Sequence, residues 1–431
     1  MSSTVIATII LVVSFLILMA LRVEIAYSMG LSTVITLLYL KISPTVVFQN
    51  MVAGANSFTF MAVPFFVLMG EVMSDGKITD MIMELADALV GWMRGGLAMV
   101  NTVASFIFGG VSGSAVADVA SLGPIERELM MKGGYDEGFS VSMTLCTSIL
   151  GILVPPSQNM VYYAVAAGGV SIGALLLAGL MPGVVLCVVM CLVGFFYAKK
   201  HNIPITGKFS LKRLVKTFLK TLPALMTIVI IVAGVTFGIM TATESSAFAA
   251  GYAIILTLLF MRTLKPKDLY RVMSHSVRTL ASMMVLISIA NAFGWIIAFL
   301  NIPRLVTNGL LSITQNRYVM LILVNMVVLF LGCFMSMGSI LLIVTPIILP
   351  VLMQLGVDPV HFGVVMVFSC AIGLITPPVG GCLYVACGYS GMRMEKLSKA
   401  MLPFYIIMFA VLLILTYVPE ISLFLPNLLM K

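Results

Sequence analysis

Two segments hold residues that do not suit their surroundings. Gly151-Ile-Leu-Val-Pro155-Pro156-Ser157 and Gly373-Leu-Ile-Thr-Pro377-Pro378-Val379 each set a prolyl pair in the middle of an apolar run, 137–166 and 360–390. Proline lacks a backbone N–H and clashes with the preceding turn, so each pair breaks its helix there. In hydrocarbon the freed carbonyls and amides are costly unless a polar loop, water or an ion satisfies them. One such break reads as a structural kink; two in related positions argue for a purpose.

The natural partners are two small polar clusters, Gly109-Gly110-Val111-Ser112-Gly113-Ser114-Ala115-Val116-Ala117-Asp118 and Met335-Ser336-Met337-Gly338-Ser339. Glycines let a backbone turn and approach closely. Serine hydroxyls and turn carbonyls are hard oxygen ligands suited to sodium, and helix N-termini at the same breaks suit an anionic group. Close helix packing through small residues is the competing reading. Three carboxylates lie in or near apolar segments. Glu71 and Glu244 sit near span ends, where capping or an interfacial hydrogen bond is expected. Asp118 is deeper, organising the first cluster or lying near an ion.

The elements that must position these groups are membrane helices. Of 431 residues, 61% are hydrophobic and 9% charged, with a mean hydropathy of +1.16. An ordinary soluble domain is about 25% charged, so a soluble enzyme is excluded and an all-α polytopic membrane protein expected. At about 20 apolar residues per span, full crossings are predicted over 4–21, 25–40, 57–73, 137–166, 173–197, 222–242, 245–261, 279–300, 360–390 and 402–418. The stretches 96–131 and 318–355 are too long for one crossing and carry the polar clusters at their middles. They are expected to enter and return as re-entrant helical hairpins, led in by short interfacial helices at 81–93 and 303–315. With the N- and C-termini outside, twenty Lys/Arg face inward and four (Lys41, Arg304, Arg317 and Lys431) face outward, as the positive-inside rule asks. Inward-facing positions include Arg22 and a basic connector, expected to be a helix at the cytoplasmic lipid surface and held by anionic headgroups.

An internal repeat organises the chain. The two prolyl segments match at an offset of 222 residues, which also pairs Pro124 with Pro346, Phe108 with Phe330 and Gly110 with Gly332. Five full crossings separate equivalent breaks, so the halves are expected to be inverted, as in many secondary transporters. The division is 1–198 for the first repeat, 199–221 for the connector and 222–431 for the second. The seven cysteines form no CxxC pair, and with only three histidines neither zinc, haem nor another transition-metal centre is expected. There is no phosphate-binding loop, catalytic triad signature or filter sequence, so a nucleotide motor, an enzyme and a channel are disfavoured. The net charge of +8 is assigned to the membrane surface, not to nucleic acid.

Ala62-Val-Pro-Phe-Phe-Val-Leu-Met-Gly-Glu71, Ser112-Gly-Ser-Ala-Val-Ala-Asp118, Ile152-Leu-Val-Pro-Pro-Ser157, Thr241-Ala-Thr-Glu244 and Leu374-Ile-Thr-Pro-Pro-Val-Gly380 occur in this order over nearly the whole chain. Together they resemble the large membrane subunit of tripartite ATP-independent periplasmic (TRAP) transporters. The resemblance implies a sodium-driven, elevator-type importer in the bacterial inner membrane, taking up organic acids such as sialic acid, sugar acids or C4-dicarboxylates. It also implies two partners, a small four-helix membrane subunit expected as a separate chain and a periplasmic substrate-binding protein. Carried over by motif, Ser112, Gly113 and Ser114 meet Val154, Pro155 and Ser157 around one sodium ion. Gly338 and Ser339 meet Thr376, Pro377 and Gly380 around another. Candidate substrate contacts are Ser114, Asp118, Ser157, Asn159, Ser336 and Gly381. Glu71, Glu244, Pro156 and Pro378 are given structural or coupling roles. A standalone carrier needing no binding protein is the alternative.

Overall fold

Every regular element among the described residues is helical, as backbone self-sufficiency in lipid requires. The structure, a computed structural model, describes residues 3–21, 23–56, 58–205 and 207–430. Arg22 and Lys431, assigned above to opposite sides, lie outside the described residues, as does Ser57 at the head of the 57–73 run.

The first half opens with α1 (Ser3–Ala20), α2 (Ile25–Tyr39), α3 (Thr45–Ala55), α4 (Ala62–Asp75) and α5 (Ile78–Val90). The expected hairpin 96–131 is α6 (Gly96–Ser112), α7 (Ala115–Ser121) and α8 (Gly123–Lys132). The first broken helix is α9 (Glu137–Thr147) and α10 (Leu150–Leu153), then α11 (Gln158–Ala167) after the prolyl pair, followed by the long α12 (Ile172–Lys200). The second half runs α13 (Leu211–Thr236), α14 (Ala242–Ile255), α15 (Pro266–Phe299) and α16 (Ile302–Ile313). Its hairpin is α17 (Arg317–Gly332) and α18 (Met337–Gln354), and its broken helix is α19 (Pro359–Leu374) and α20 (Gly381–Ser390). The chain finishes with α21 (Met394–Tyr417) and α22 (Pro419–Leu429).

Several boundaries differ from expectation. The connector is not a separate surface helix: Ser210 caps α13, its hydroxyl accepting from Arg213 N at 3.4 Å, and nothing from 211 onward stops the helix before it enters the span. Likewise α15 begins at Pro266, a residue suited to a first helical position, and absorbs most of the presumed 262–278 loop. Helices α3 and α22 were not anticipated. Six described helices are long and apolar enough to cross a membrane, and a seventh span results if α9–α11, bent by 50°, counts as one. Breaks divide 137–166 and 360–390, α1, α2 and α4 are too short to pass, α2 and α4 having 15 and 14 residues, and α18, in a stretch expected to re-enter, is one of the six.

Helix α5 shows how the basic connector is held. Ile78, Ile82, Leu85 and Ala86 are buried, while Glu84 and Asp87 on the other face pair with Lys220 at 2.6 Å and Arg213 at 2.5 Å. Two of the connector's charges therefore bind protein carboxylates. These pairs are well exposed, so Arg213→Ala is expected to cost under about 1 kcal/mol, less still in high salt. Thermal unfolding at two ionic strengths checks this.

The two hairpins and two broken helices interlock at the centre. Helix α6 packs on α9 and α10, and α17 on α19, each hairpin against the broken helix of its own half. The second halves cross over: α11 lies on α18, and α20 on α7.

Candidate functional site

At the first tip, α6 stops at Ser112, Gly113 turns with φ +64°, and Ser114 opens α7. The Ser114 hydroxyl accepts from Ala117 N at 3.3 Å, as an N-cap should. The Ser112 hydroxyl accepts from Ser114 N at 3.4 Å. Across from this turn, α10 ends at Leu153, Val154 is extended, and the Ser157 hydroxyl caps α11 by accepting from Met160 N at 3.4 Å. Both prolyl bonds, Pro155–Pro156 and Pro377–Pro378, are cis.

Glycines record how closely tip and break are pressed. A Cβ on Gly113 would overlap the Pro156 carbonyl oxygen. One on Gly109 would lie 2.7 Å from Gly151 Cα, and one on Gly110 3.4 Å from the Pro155 oxygen. From the scaffold side, a Cβ on Gly70 would sit 3.1 Å from the Ser112 oxygen. The backbone of the first tip thus lies directly against the carbonyls of the first break.

At the second tip Gly332 and Cys333 touch the break: Val379 N donates to the Cys333 oxygen at 3.2 Å, and a Cβ on Gly373 would lie 2.5 Å from Gly332 Cα. The turn between α17 and α18 spans four residues instead of two, so Gly338 and Ser339 already belong to α18. Gly338 faces the Tyr162 ring and Leu286, and the Ser339 hydroxyl is 2.6 Å from that of Ser336. Thr376 spends its hydroxyl proton on the Ile372 oxygen at 2.7 Å. Gly380, with φ +48°, lets the Thr376 and Leu374 carbonyls approach; they lie 2.9 and 3.2 Å from where its Cβ would be.

A cavity of about 580 Å³ lies between the two tips, the two breaks, α2 and α15, within the usual size for a small-molecule site. Gly113, Ser114, Asn159, Ser336, Gly338, Ser339, Gly380 and Gly381 line it. Ser112, Val154, Pro155, Pro156, Ser157, Thr376, Pro377 and Pro378 do not. Asp118 and Ser157, expected to touch substrate, are fully buried away from it. Asp118 Oδ1 accepts from Ser105 at 3.2 Å, and Oδ2 has no partner. Glu71 pairs with His275 at 3.2 Å. Glu244 closes a capping box on α14, accepting from Thr241 N at 2.7 Å.

Sequence reasoning missed Glu24, Gln158, Tyr162, Met283, Leu286 and Phe334, all in the lining. Gln158 and Tyr162 carried a signal in their place directly after the first prolyl break. Met283 and Leu286 look like any lipid-facing residue of α15. Among the described lining residues Glu24 is the one charged side chain. An anion here would meet hydroxyls, amides and the N-termini of α11, α18 and α20, which carry partial positive charge.

A family model described as "Tripartite ATP-independent periplasmic transporter, DctM component" matches residues 12–421. The chain is 37% identical to the uncharacterized protein YgiK of Salmonella typhimurium, over 96% of either chain. It is also 37% identical to the sialic acid TRAP transporter large permease protein SiaM of Vibrio cholerae, over 88% of this chain and 89% of that one. Among solved structures it is similar to the Alcanivorax borkumensis YdaH transporter, with a TM-score of 0.65, 14% identity and 88% of each chain covered. At that identity what is shared is the fold.

Proposed function

This chain belongs to the DctM-component family of tripartite ATP-independent periplasmic transporters, and on that premise we propose that it is the large membrane subunit of a sodium-coupled importer of a small organic acid. The observation that carries the reading is the cavity, bounded by both tips and both proline breaks, where hydroxyls, amides and helix N-termini meet an otherwise mostly apolar lining with Glu24 at its edge. Sodium held among Ser112, Gly113, Ser114 and the Pro155 and Pro156 carbonyls fixes the first tip against its break. Gly332, Cys333 and the Thr376–Gly380 turn supply a second such place. The acid then binds in the cavity, its carboxylate toward the helix N-termini, and Ser114, Asn159, Ser336 and Gly381 offer hydrogen bonds.

In this reading the hairpins and broken helices travel as one block past α1–α4 and α13–α15, an elevator movement across the bacterial inner membrane. A periplasmic binding protein delivers the acid, and a small membrane subunit on a separate chain braces the scaffold. The termini face the periplasm. Sialic acid, named for the Vibrio cholerae relative, exemplifies the substrate class.

Sodium binding is testable without the substrate, since a ligand of the folded state raises thermal stability. The purified protein is expected to unfold at higher temperature in sodium chloride than in potassium or choline chloride. Ser114→Ala removes a cap and a hydroxyl, and is expected to raise the half-effective sodium concentration about tenfold, some 1.4 kcal/mol. Identical unfolding in all three salts removes sodium from the mechanism.

A further inference from the structure

Glu126 lies on α8, in the returning limb of the first hairpin, buried and outside the cavity lining. Asn101 Nδ2 and the Thr144 hydroxyl both donate to its Oε2, each at 2.8 Å. The other Asn101 amide proton goes to Thr144 Oγ1 at 2.7 Å, and Asn101 Oδ1 accepts from the Thr147 hydroxyl at 2.7 Å. These bonds fix the amide's orientation and leave Oε2 with two donors. Oε1 is buried with no partner.

Among the described residues no cation pairs with this carboxyl. Its neighbour Arg127 is turned onto Glu137 of α9, and Lys132 pairs with Glu128. The titratable groups around Glu126 are Asp118 on α7 and Tyr389 on α20; α6 and α9 face it with Asn101 and Thr144. The Tyr389 hydroxyl also lacks a partner. It lies over Gly123, one turn before Glu126, where a Cβ would be 2.9 Å from it. An ionised carboxylate buried without a counter-charge is strongly disfavoured, and two neutral donors on one oxygen do not offset that.

We propose that Glu126 is a proton-binding site, with the proton on Oε1, and that packing of the first hairpin against α9 and α20 is thereby linked to pH. Oε2 is already occupied by donors, so the new O–H bond forms at Oε1. The proton comes from water and returns to water, cancelling and restoring one negative charge. Since the packed state holds a proton that the unfolded chain releases near neutral pH, stability falls as pH rises.

Infrared difference spectroscopy of the purified protein tests this. Wild type minus Glu126→Gln at neutral pH is expected to show the carbonyl stretch of a protonated carboxylic acid, above the amide band. The unfolding constant of wild type should rise toward alkaline pH, and Glu126→Gln should lose up to about tenfold of that rise per pH unit, the limit for one proton, Asp118 keeping its own share. Should Glu126→Gln fail to fold, Asp118→Asn serves instead: a carboxylic-acid band that persists in it and titrates away belongs to Glu126. Loss of no such band in Glu126→Gln, or no titrating band in Asp118→Asn, means an ionised Glu126 and overturns the proposal.

Discussion

Replacing Gly113 by alanine is expected to cost roughly 3 kcal/mol and to abolish the sodium-dependent rise in unfolding temperature. Two effects combine. At φ +64° an L-residue is strained, by about 1–2 kcal/mol. The added methyl would also overlap the Pro156 carbonyl oxygen, and overpacking against backbone costs a further 1–3 kcal/mol or so. Gly168 separates the two effects, because it has φ +66° with nothing within 4 Å of a Cβ. Gly168→Ala should therefore cost only about 1 kcal/mol and leave the sodium response intact. Thermal unfolding of both variants in sodium and potassium decides the matter. Equal losses in the two would mean that the tip is not held against its break.

Gly373→Ala is expected to have a comparable effect on the second half, roughly 2–4 kcal/mol. Its Cβ would lie 2.5 Å from Gly332 Cα and 2.6 Å from Gly332 C, so α17 as a whole must retreat. The retreat also stretches the bond from Val379 N to the Cys333 oxygen, now 3.2 Å. Gly388 on the neighbouring α20 is the control, with nothing within 4 Å, and alanine there should be neutral or slightly stabilising. The double variant Gly332→Ala/Gly373→Ala should cost less than the sum of its parts, since one retreat relieves both methyls. If Gly373→Ala unfolds at the same temperature as Gly388→Ala, this close approach is not made in solution.

The parts of this architecture legible in the sequence carry strong local signals. Prolyl pairs stop helices wherever they occur, and Ser114, Ser157 and Ser336 each cap the helix that follows a break. The two-residue turn of the first tip lies against 151–157. At the second tip Gly332 and Cys333 touch the break, and nothing polar in their side chains marks them in the sequence. Glu126 was invisible for another reason. In Glu126-Arg127-Glu128 it reads as part of a solvated charged end, and its burial follows from the pairing of α8 with α9. Lipid and protein interior favour the same side chains, so Met283 and Leu286 gave no sign that they face a cavity.

The crossing of α11 onto α18 and of α20 onto α7 makes the two halves interdependent. Neither tip can swing away from its own break without loosening the platform on which the opposite tip rests. For the two sodium sites proposed above, order at one is expected to lower the entropic cost of order at the other, a coupling that is reciprocal by linkage. A sodium titration of the unfolding temperature is then expected to rise steeply over a narrow range of concentration.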